Sequence, residues 1–128
     1  MNNIPLVCTA LLGLLLFGQG LHVSLTRRFT GRIIGHDSGP TDAMHRAVRA
    51  HANTAEYAPY LAILFLWHGA HQPAQWIVAV IVLATVSRFS LVVGLLWGGP
   101  LDKPNWFRFF GALTTYICGL VLAAAVLI

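Results

Sequence analysis

The chain has 128 residues, of which 57% are hydrophobic and only 9% are charged. Soluble domains typically carry about 25% charged residues, so a water-exposed surface of ordinary composition is excluded. The formal net charge of +4 would favour nucleic acid as a partner of a soluble protein. In so apolar a chain we expect no nucleic acid partner, and the placement of the basic residues is more informative than their sum.

Four apolar stretches, each long enough to cross a bilayer, follow one another along the chain. A spanning helix needs roughly 20 mostly apolar residues, and the stretches cover about residues 4–25, 43–69, 74–97 and 105–128. Because they use most of the chain, the sequence predicts a single domain over residues 1–128. The expected fold is all-α and membrane-integral, a bundle of four transmembrane helices in contact with the lipid bilayer.

The first of these stretches is predicted to be a membrane helix rather than a cleavable signal peptide. Such a peptide begins with a basic segment, whereas residues 1–7 contain neither lysine nor arginine. The same helix carries Cys8, and the fourth helix carries Cys118. Neither belongs to a CxxC pair, so a metal site is not supported, and we interpret both as small buried hydrophobic residues. A disulfide between them stays open, because both would lie in the same half of the bilayer.

Positive charge is concentrated in two of the three connections between helices. Five arginines lie in or beside the first connection, and Lys103 and Arg108 lie beside the third. The second connection, residues 68–75, and both chain ends contain no lysine or arginine. Because positively charged loops stay in the cytoplasm, we predict that the first and third connections are cytoplasmic and that both termini face the other side. Alternatively, these arginines serve only as topology signals and as contacts for lipid phosphates.

The second helix carries a polar stripe near its beginning. At about 100° per residue, five polar or aromatic residues share one narrow face: Arg46, Arg49, Asn53, Glu56 and Tyr60. His51 falls on the opposite, small-residue face. Charged residues inside a membrane are costly and usually mark function, so Glu56 needs a partner, for which Arg88 of the third helix is the candidate. A purely structural bridge needs only two residues, so the stripe of five favours a site for a polar, zwitterionic ligand.

The stripe contains a motif of eleven positions, Arg-x-His-x-Asn-x-x-Glu-x-x-Pro, which is met at Arg49, His51, Asn53, Glu56 and Pro59. It resembles the signature of the MAPEG family (membrane-associated proteins in eicosanoid and glutathione metabolism). The resemblance covers essentially the whole chain. It is closest to the short bacterial branch and to microsomal glutathione transferases.

The resemblance implies a homotrimer in the cell inner membrane that binds glutathione as a co-substrate between subunits, near the cytoplasmic side. It implies Arg49, Asn53 and Glu56 as glutathione contacts, and His51 and Arg88 match further family positions. Arg46 and Tyr60 complete the predicted glutathione-binding set because they share the stripe. Arg108 matches the family's arginine at the start of helix four and would be catalytic, because a nearby cation favours the thiolate, which is the nucleophile. His51 either contacts the next subunit or packs within the bundle.

The leading function is that of a glutathione transferase or peroxidase. It would join the glutathione thiolate to a lipophilic small-molecule electrophile from the bilayer, or reduce a lipid hydroperoxide. Leu91 and Leu95 stand where many members carry His or Tyr, which favours a second interpretation, a catalytically weak glutathione- or lipid-binding partner protein. A third interpretation, independent of the family, is a small transporter or a haem-carrying bundle with histidines as candidate ligands: His22, His51, His68 and His71.

Overall fold

The computed structural model describes residues 3–128. These residues form four helices, α1 (Ile4–Thr30), α2 (Ala43–Ala70), α3 (Gln75–Trp97) and α4 (Trp106–Ala125), and contain no β-strand. Three of them, α1, α3 and α4, are long and apolar enough to cross a membrane. The all-α membrane class is therefore confirmed. Helix α2 is also long, but its polar stripe interrupts its apolar sequence.

Helix α1 is longer than the sequence predicted. It continues to Thr30, five residues beyond the expected end at residue 25, and stops where Gly31 adopts a left-handed conformation with φ of 70°. Glycine is the usual residue at this position because it has no Cβ to clash. Arg27 and Arg28 lie in the last turn, where cations interact favourably with the helix dipole, so their charge does not end the helix.

The connection after α1 is held by a small network of side chains. Asp42 caps α2 by accepting a hydrogen bond from the backbone N–H of His45 at 2.8 Å. Arg32 pairs with Asp42 at 3.3 Å and with Asp37 at 2.6 Å. The backbone N–H of Leu101 donates to the carbonyl of Pro40 at 2.9 Å, so the first and third connections meet at the same end of the bundle.

The bundle consists of two helical hairpins. Helix α1 packs mainly against α2, and α3 mainly against α4, while α2 and α4 barely touch. The core between the hairpins is apolar and includes Leu12, Phe65, Ile81 and Leu122, all of them fully buried. Both cysteines lie in this same core as free thiols, as their interpretation as small buried hydrophobic residues predicted.

The α3–α4 hairpin is packed closely enough to require glycine. A Cβ atom on Gly111 would lie 2.6 Å from both the Cβ and the backbone nitrogen of Leu91, and 2.7 Å from the carbonyl oxygen of Ser87. By contrast, Gly13 and Gly18 of α1 have no atom within 4 Å of such a Cβ. The small-residue contact that membrane helices use for close approach therefore lies between α3 and α4, and not along those positions of α1.

A single side chain joins the ends of α3 and α4. The Asn105 carbonyl oxygen accepts from the backbone N–H of Arg108 at 3.1 Å, and its amide nitrogen donates to the carbonyl of Gly98 at 2.8 Å. The first bond caps α4 and the second satisfies a carbonyl at the end of α3. Asn105 thereby fixes the geometry of the connection that carries Arg108.

We predict that Asn105→Ala lowers the stability of the protein by about 1–2 kcal/mol, the usual cost of losing an N-cap. Far-ultraviolet circular dichroism during thermal unfolding in detergent would measure it. Asn105→Asp is the matched control, because it keeps the oxygen that caps α4 and loses only the bond to Gly98. An Asn105→Ala variant that unfolds with the wild type would contradict the capping role.

Candidate binding groove between helices two and four

Two cavities follow one another along the open side between α2 and α4. The first, of about 650 Å³, is named here the basic cleft after its cations Arg49, Lys103 and Arg108. The second, of about 550 Å³, is named the tyrosine cleft after Tyr57, Tyr60 and Tyr116. They form because the two hairpins leave α2 and α4 apart.

The two clefts are successive sections of one groove. On α2, Asn53 lines the basic cleft and Tyr57, four residues later, lines the tyrosine cleft. On α4, Ala112 and Tyr116 are related in the same way. Four residues make about one helical turn, roughly 6 Å of rise, so both helices pass from one cleft to the next over the same short distance.

The cations of the basic cleft are not neutralised by carboxylates. Arg49 is exposed and forms no hydrogen bond or ion pair within residues 3–128. Arg108 is half-buried, and its guanidinium donates to the carbonyls of Leu101 at 2.9 Å and Lys103 at 3.3 Å. No acidic side chain of the described residues lines this cleft, so its charge is available for an anionic ligand.

Asn53, which lines the basic cleft, forms a short hydrogen bond with Arg88 of α3. Arg88 is fully buried, and its Nη2 atom donates to the Asn53 Oδ1 atom at 2.7 Å and to the Thr54 hydroxyl at 3.4 Å. Its guanidinium carbon lies 5.4 Å from the centre of the Tyr57 ring, a cation–π distance. Arg88 therefore contacts α2 through neutral groups.

The expected pairing of Glu56 with Arg88 is wrong, because no ion pair joins these side chains. With Arg49 at zero on the helical wheel, Asn53, Tyr57 and Thr54 lie at about 40°, 80° and 140°. Arg88 sits over this sector, whereas Glu56 lies near 340° and is exposed. The prediction paired two charged residues of apolar helices, and it took no account of which face of α2 meets α3.

The polar stripe of α2 is divided by its neighbours. Arg49 and Asn53 line the basic cleft, whereas Glu56 and Tyr60 line the tyrosine cleft. Arg46 turns toward α3 and donates to the carbonyl of Leu96 at 3.4 Å. The groove thus collects four of the five stripe residues.

His51 lies outside the groove, as its position on the wheel suggested. Its ring packs against Gly20 of α1, where a Cβ on that glycine would lie 3.4 Å from the His51 Cε1 atom. The remaining candidate haem ligands are engaged elsewhere or exposed. The ring of His68 donates to the carbonyl of Leu122 at 3.0 Å, and the ring of His71 to that of Trp67 at 2.7 Å. These contacts give the haem interpretation no support.

Several groove residues were missed by the sequence reasoning. Lys103 and Asn105 belong to an irregular connection, where no periodicity indicates which side chain faces which cavity. Tyr57 was detectable, because it falls beside the stripe on the helical wheel. Tyr116 of α4 also belongs to the groove, and its ring centre lies 5.6 Å from that of Tyr57.

Leu91 and Leu95, the two apolar substitutions noted in the sequence, are both buried and both line the basic cleft. They form an apolar wall on α3 opposite the cations. No polar side chain from these two positions reaches a ligand in the cleft. Charged contacts with a ligand in this cleft would therefore come from the cations of α2, α4 and the third connection.

Comparison with known proteins gives a match to a family model. No curated protein and no solved structure matches the chain significantly. The family model described as "MAPEG family" matches residues 5–128, which include all of α1 but its first residue, the other three helices and the whole groove. The chain is a multi-pass membrane protein, and because the match covers almost its full length, it belongs to the MAPEG family.

Proposed function

We propose that the protein is a membrane-bound glutathione transferase, with the groove between α2 and α4 as its glutathione site. One observation carries the proposal: a single groove offers uncompensated cations at Arg49 and Arg108 and, about two helical turns beyond Arg49 on α2, the carboxylate of Glu56. Glutathione carries two carboxylates and one amine, so it complements both sections.

The dimensions of the groove support a ligand of this size. Arg49 and Glu56 are seven residues apart on α2, which corresponds to about 10.5 Å of helix rise. Three extended residues span at most about 10 Å. A tripeptide can thus place a carboxylate at the guanidinium of Arg49, where charge-assisted bonds are strongest, and its amine at Glu56.

Arg108 is the catalytic residue of this proposal. Its positive charge favours the thiolate form of bound glutathione, and the thiolate is the nucleophile. The sulfur forms a bond to an electrophilic carbon, and the leaving group departs with its electron pair. With a lipid hydroperoxide the sulfur attacks an oxygen instead, and the O–O bond breaks with departure of the lipid alkoxide, which is protonated to the alcohol. A second glutathione thiol then attacks the resulting sulfenic acid, which forms the disulfide and releases water.

The lipophilic second substrate is proposed to enter from the bilayer through the tyrosine cleft, whose walls include Leu61 and Leu120.

The proposed arrangement has all four helices crossing the inner membrane, with both termini outside the cytoplasm and the basic cleft at the cytoplasmic end. Seven of the eight basic residues lie at that end of the bundle, as the positive-inside rule requires. We further propose a homotrimer, in which a neighbouring subunit covers the open groove.

The test is a titration of the detergent-purified protein with glutathione, followed by the ultraviolet difference absorbance of the thiolate near neutral pH. The wild type is expected to give a saturating signal. Glu56→Gln should weaken binding by about 10- to 100-fold, because it loses a charge-assisted bond worth roughly 1.5–3 kcal/mol. The matched control is Asp102→Asn, which removes an exposed carboxylate that lines neither cleft.

A wild type that does not bind glutathione, or a Glu56→Gln variant that binds as tightly as the wild type, would contradict the proposal.

One feature favours a second candidate, a binding protein without turnover. Leu91 and Leu95 give the basic cleft an apolar wall, so the thiol lacks a polar partner from α3. Saturable binding of glutathione without a thiolate signal would support that second candidate.

A further inference from the structure

The hydrogen bond between Arg88 and Asn53 decides which end of the Asn53 amide faces the groove. A guanidinium has only donors, so the atom that meets Arg88 Nη2 at 2.7 Å is the amide oxygen of Asn53. The amide nitrogen is left with two N–H donors. It forms no hydrogen bond within residues 3–128, and Asn53 lines the basic cleft.

The other polar groups of the basic cleft are also donors. Arg49, Lys103 and Arg108 are cations, and no carboxylate side chain of the described residues lines the cavity. Both ends of the Asn105 amide are already bonded, to Arg108 and to Gly98. The carbonyls of Leu101 and Lys103 accept from Arg108. A ligand in this cleft therefore meets N–H groups and positive charge.

We infer that Arg88 is a positioning residue that holds Asn53 as a hydrogen-bond donor, so that the basic cleft selects a carboxylate group of its ligand and rejects the amine. The identity of that ligand as glutathione rests on the proposed function. The amine is left to Glu56 in the tyrosine cleft. Arg88 itself touches no ligand and acts through Asn53 alone.

The environment of Arg88 argues against a role in stability. It is fully buried, its Nε atom has no partner within the described residues, and its contacts are neutral. A cation near the centre of a membrane helix is costly on insertion scales, and a neutral amide offsets less of that cost than a carboxylate does. Such a group is expected where it serves the site.

The first experiment compares Asn53→Asp with Asn53→Ala by calorimetric titration of glutathione and of its diethyl ester, in which both carboxylates are masked. Aspartate keeps an acceptor for Arg88 but turns a carboxylate oxygen toward the cleft. Like-charge juxtaposition at a binding site strongly disfavours the complex. We expect Asn53→Asp to weaken glutathione binding at least about tenfold more than Asn53→Ala does, and to change binding of the diester far less.

The second experiment tests Arg88 itself, using the ratio of the affinities for glutathione and the diester. Arg88→Met frees the Asn53 amide to turn and should reduce this ratio, without lowering the temperature of thermal unfolding. Arg88→Lys retains a donor and should preserve the ratio. A residue with only a structural role would instead lower stability and weaken both ligands equally, which would overturn the inference.

The outcomes separate this inference from the proposed function. If glutathione binds the wild type and Asn53→Asp with equal affinity, the inference falls and the glutathione site stands. If glutathione does not bind but succinate, a plain dicarboxylate, binds and shows the same dependence on Asn53 and Arg88, the inference stands and the proposed function falls. If neither carboxylate binds, the inference falls as well.

Discussion

Replacing Arg108 with alanine is expected to leave glutathione bound but largely as the neutral thiol. Arg108 is the cation at the α4 end of the basic cleft, and no acidic side chain of the described residues offsets its charge there. A cation within about 4–6 Å lowers the pKa of a thiol by about one to three units. Losing it should therefore reduce the thiolate fraction at neutral pH, and the rate of conjugation, by at least about tenfold.

The sign of this effect is testable by pH. In the wild type the thiolate absorbance of bound glutathione should rise at a lower pH than in Arg108→Ala, and the two should converge once pH exceeds the thiol pKa of the variant. Arg108→Lys is the conservative comparison, because it keeps the charge. Arg28→Ala controls for the loss of one exposed cation outside the groove. Coincident pH profiles for wild type and Arg108→Ala would remove Arg108 from catalysis.

Replacing Gly111 with alanine is expected to destabilise the α3–α4 hairpin strongly, although it adds only one methyl group. The new Cβ would lie 2.6 Å from the backbone nitrogen of Leu91 and 2.7 Å from the carbonyl oxygen of Ser87. Backbone atoms cannot turn away as a flexible side chain can, so α4 must move. Overpacking of this kind costs about 1–3 kcal/mol and occasionally more.

The thermal unfolding temperature in detergent measures this effect, and Gly13→Ala is the matched control. Both positions are helical glycines, but a Cβ on Gly13 meets nothing within 4 Å. Alanine is favoured over glycine inside a helix by up to about 1 kcal/mol, so the control should be neutral or stabilising. Equal unfolding temperatures for the two variants would show that α3 and α4 are not in close contact.

The helices and the polar stripe were predictable because both depend on local pattern. Apolar runs of about 20 residues indicate spanning helices, and a period of 3.6 residues placed Arg49, Asn53 and Glu56 on one face before any contact was known. The end of α1 was missed because the basic residues Arg27 and Arg28 suggested a loop, whereas the left-handed Gly31 sets the boundary.

The partners of the stripe were not predictable, because they depend on the register between helices. Glu56 and Arg88 were paired because both are charged residues inside apolar helices. The rotation of α3 instead brings Arg88 to Asn53 and Thr54. The division of the stripe between two clefts likewise depends on where α4 passes. Lys103 lies in a connection without periodicity, so only the structure brings it to the groove.

The arrangement of the helices as two hairpins has a thermodynamic consequence. Arg49 belongs to the α1–α2 hairpin and Arg108 to the α3–α4 hairpin, and α2 and α4 barely touch. A ligand held by both arginines would act as a non-covalent cross-link across the least-packed boundary of the bundle. Because a ligand that binds only the folded state stabilises it by about 2.7 kcal/mol at 100 times its Kd, an occupied groove would resist the separation of the hairpins, and an empty one would open there first.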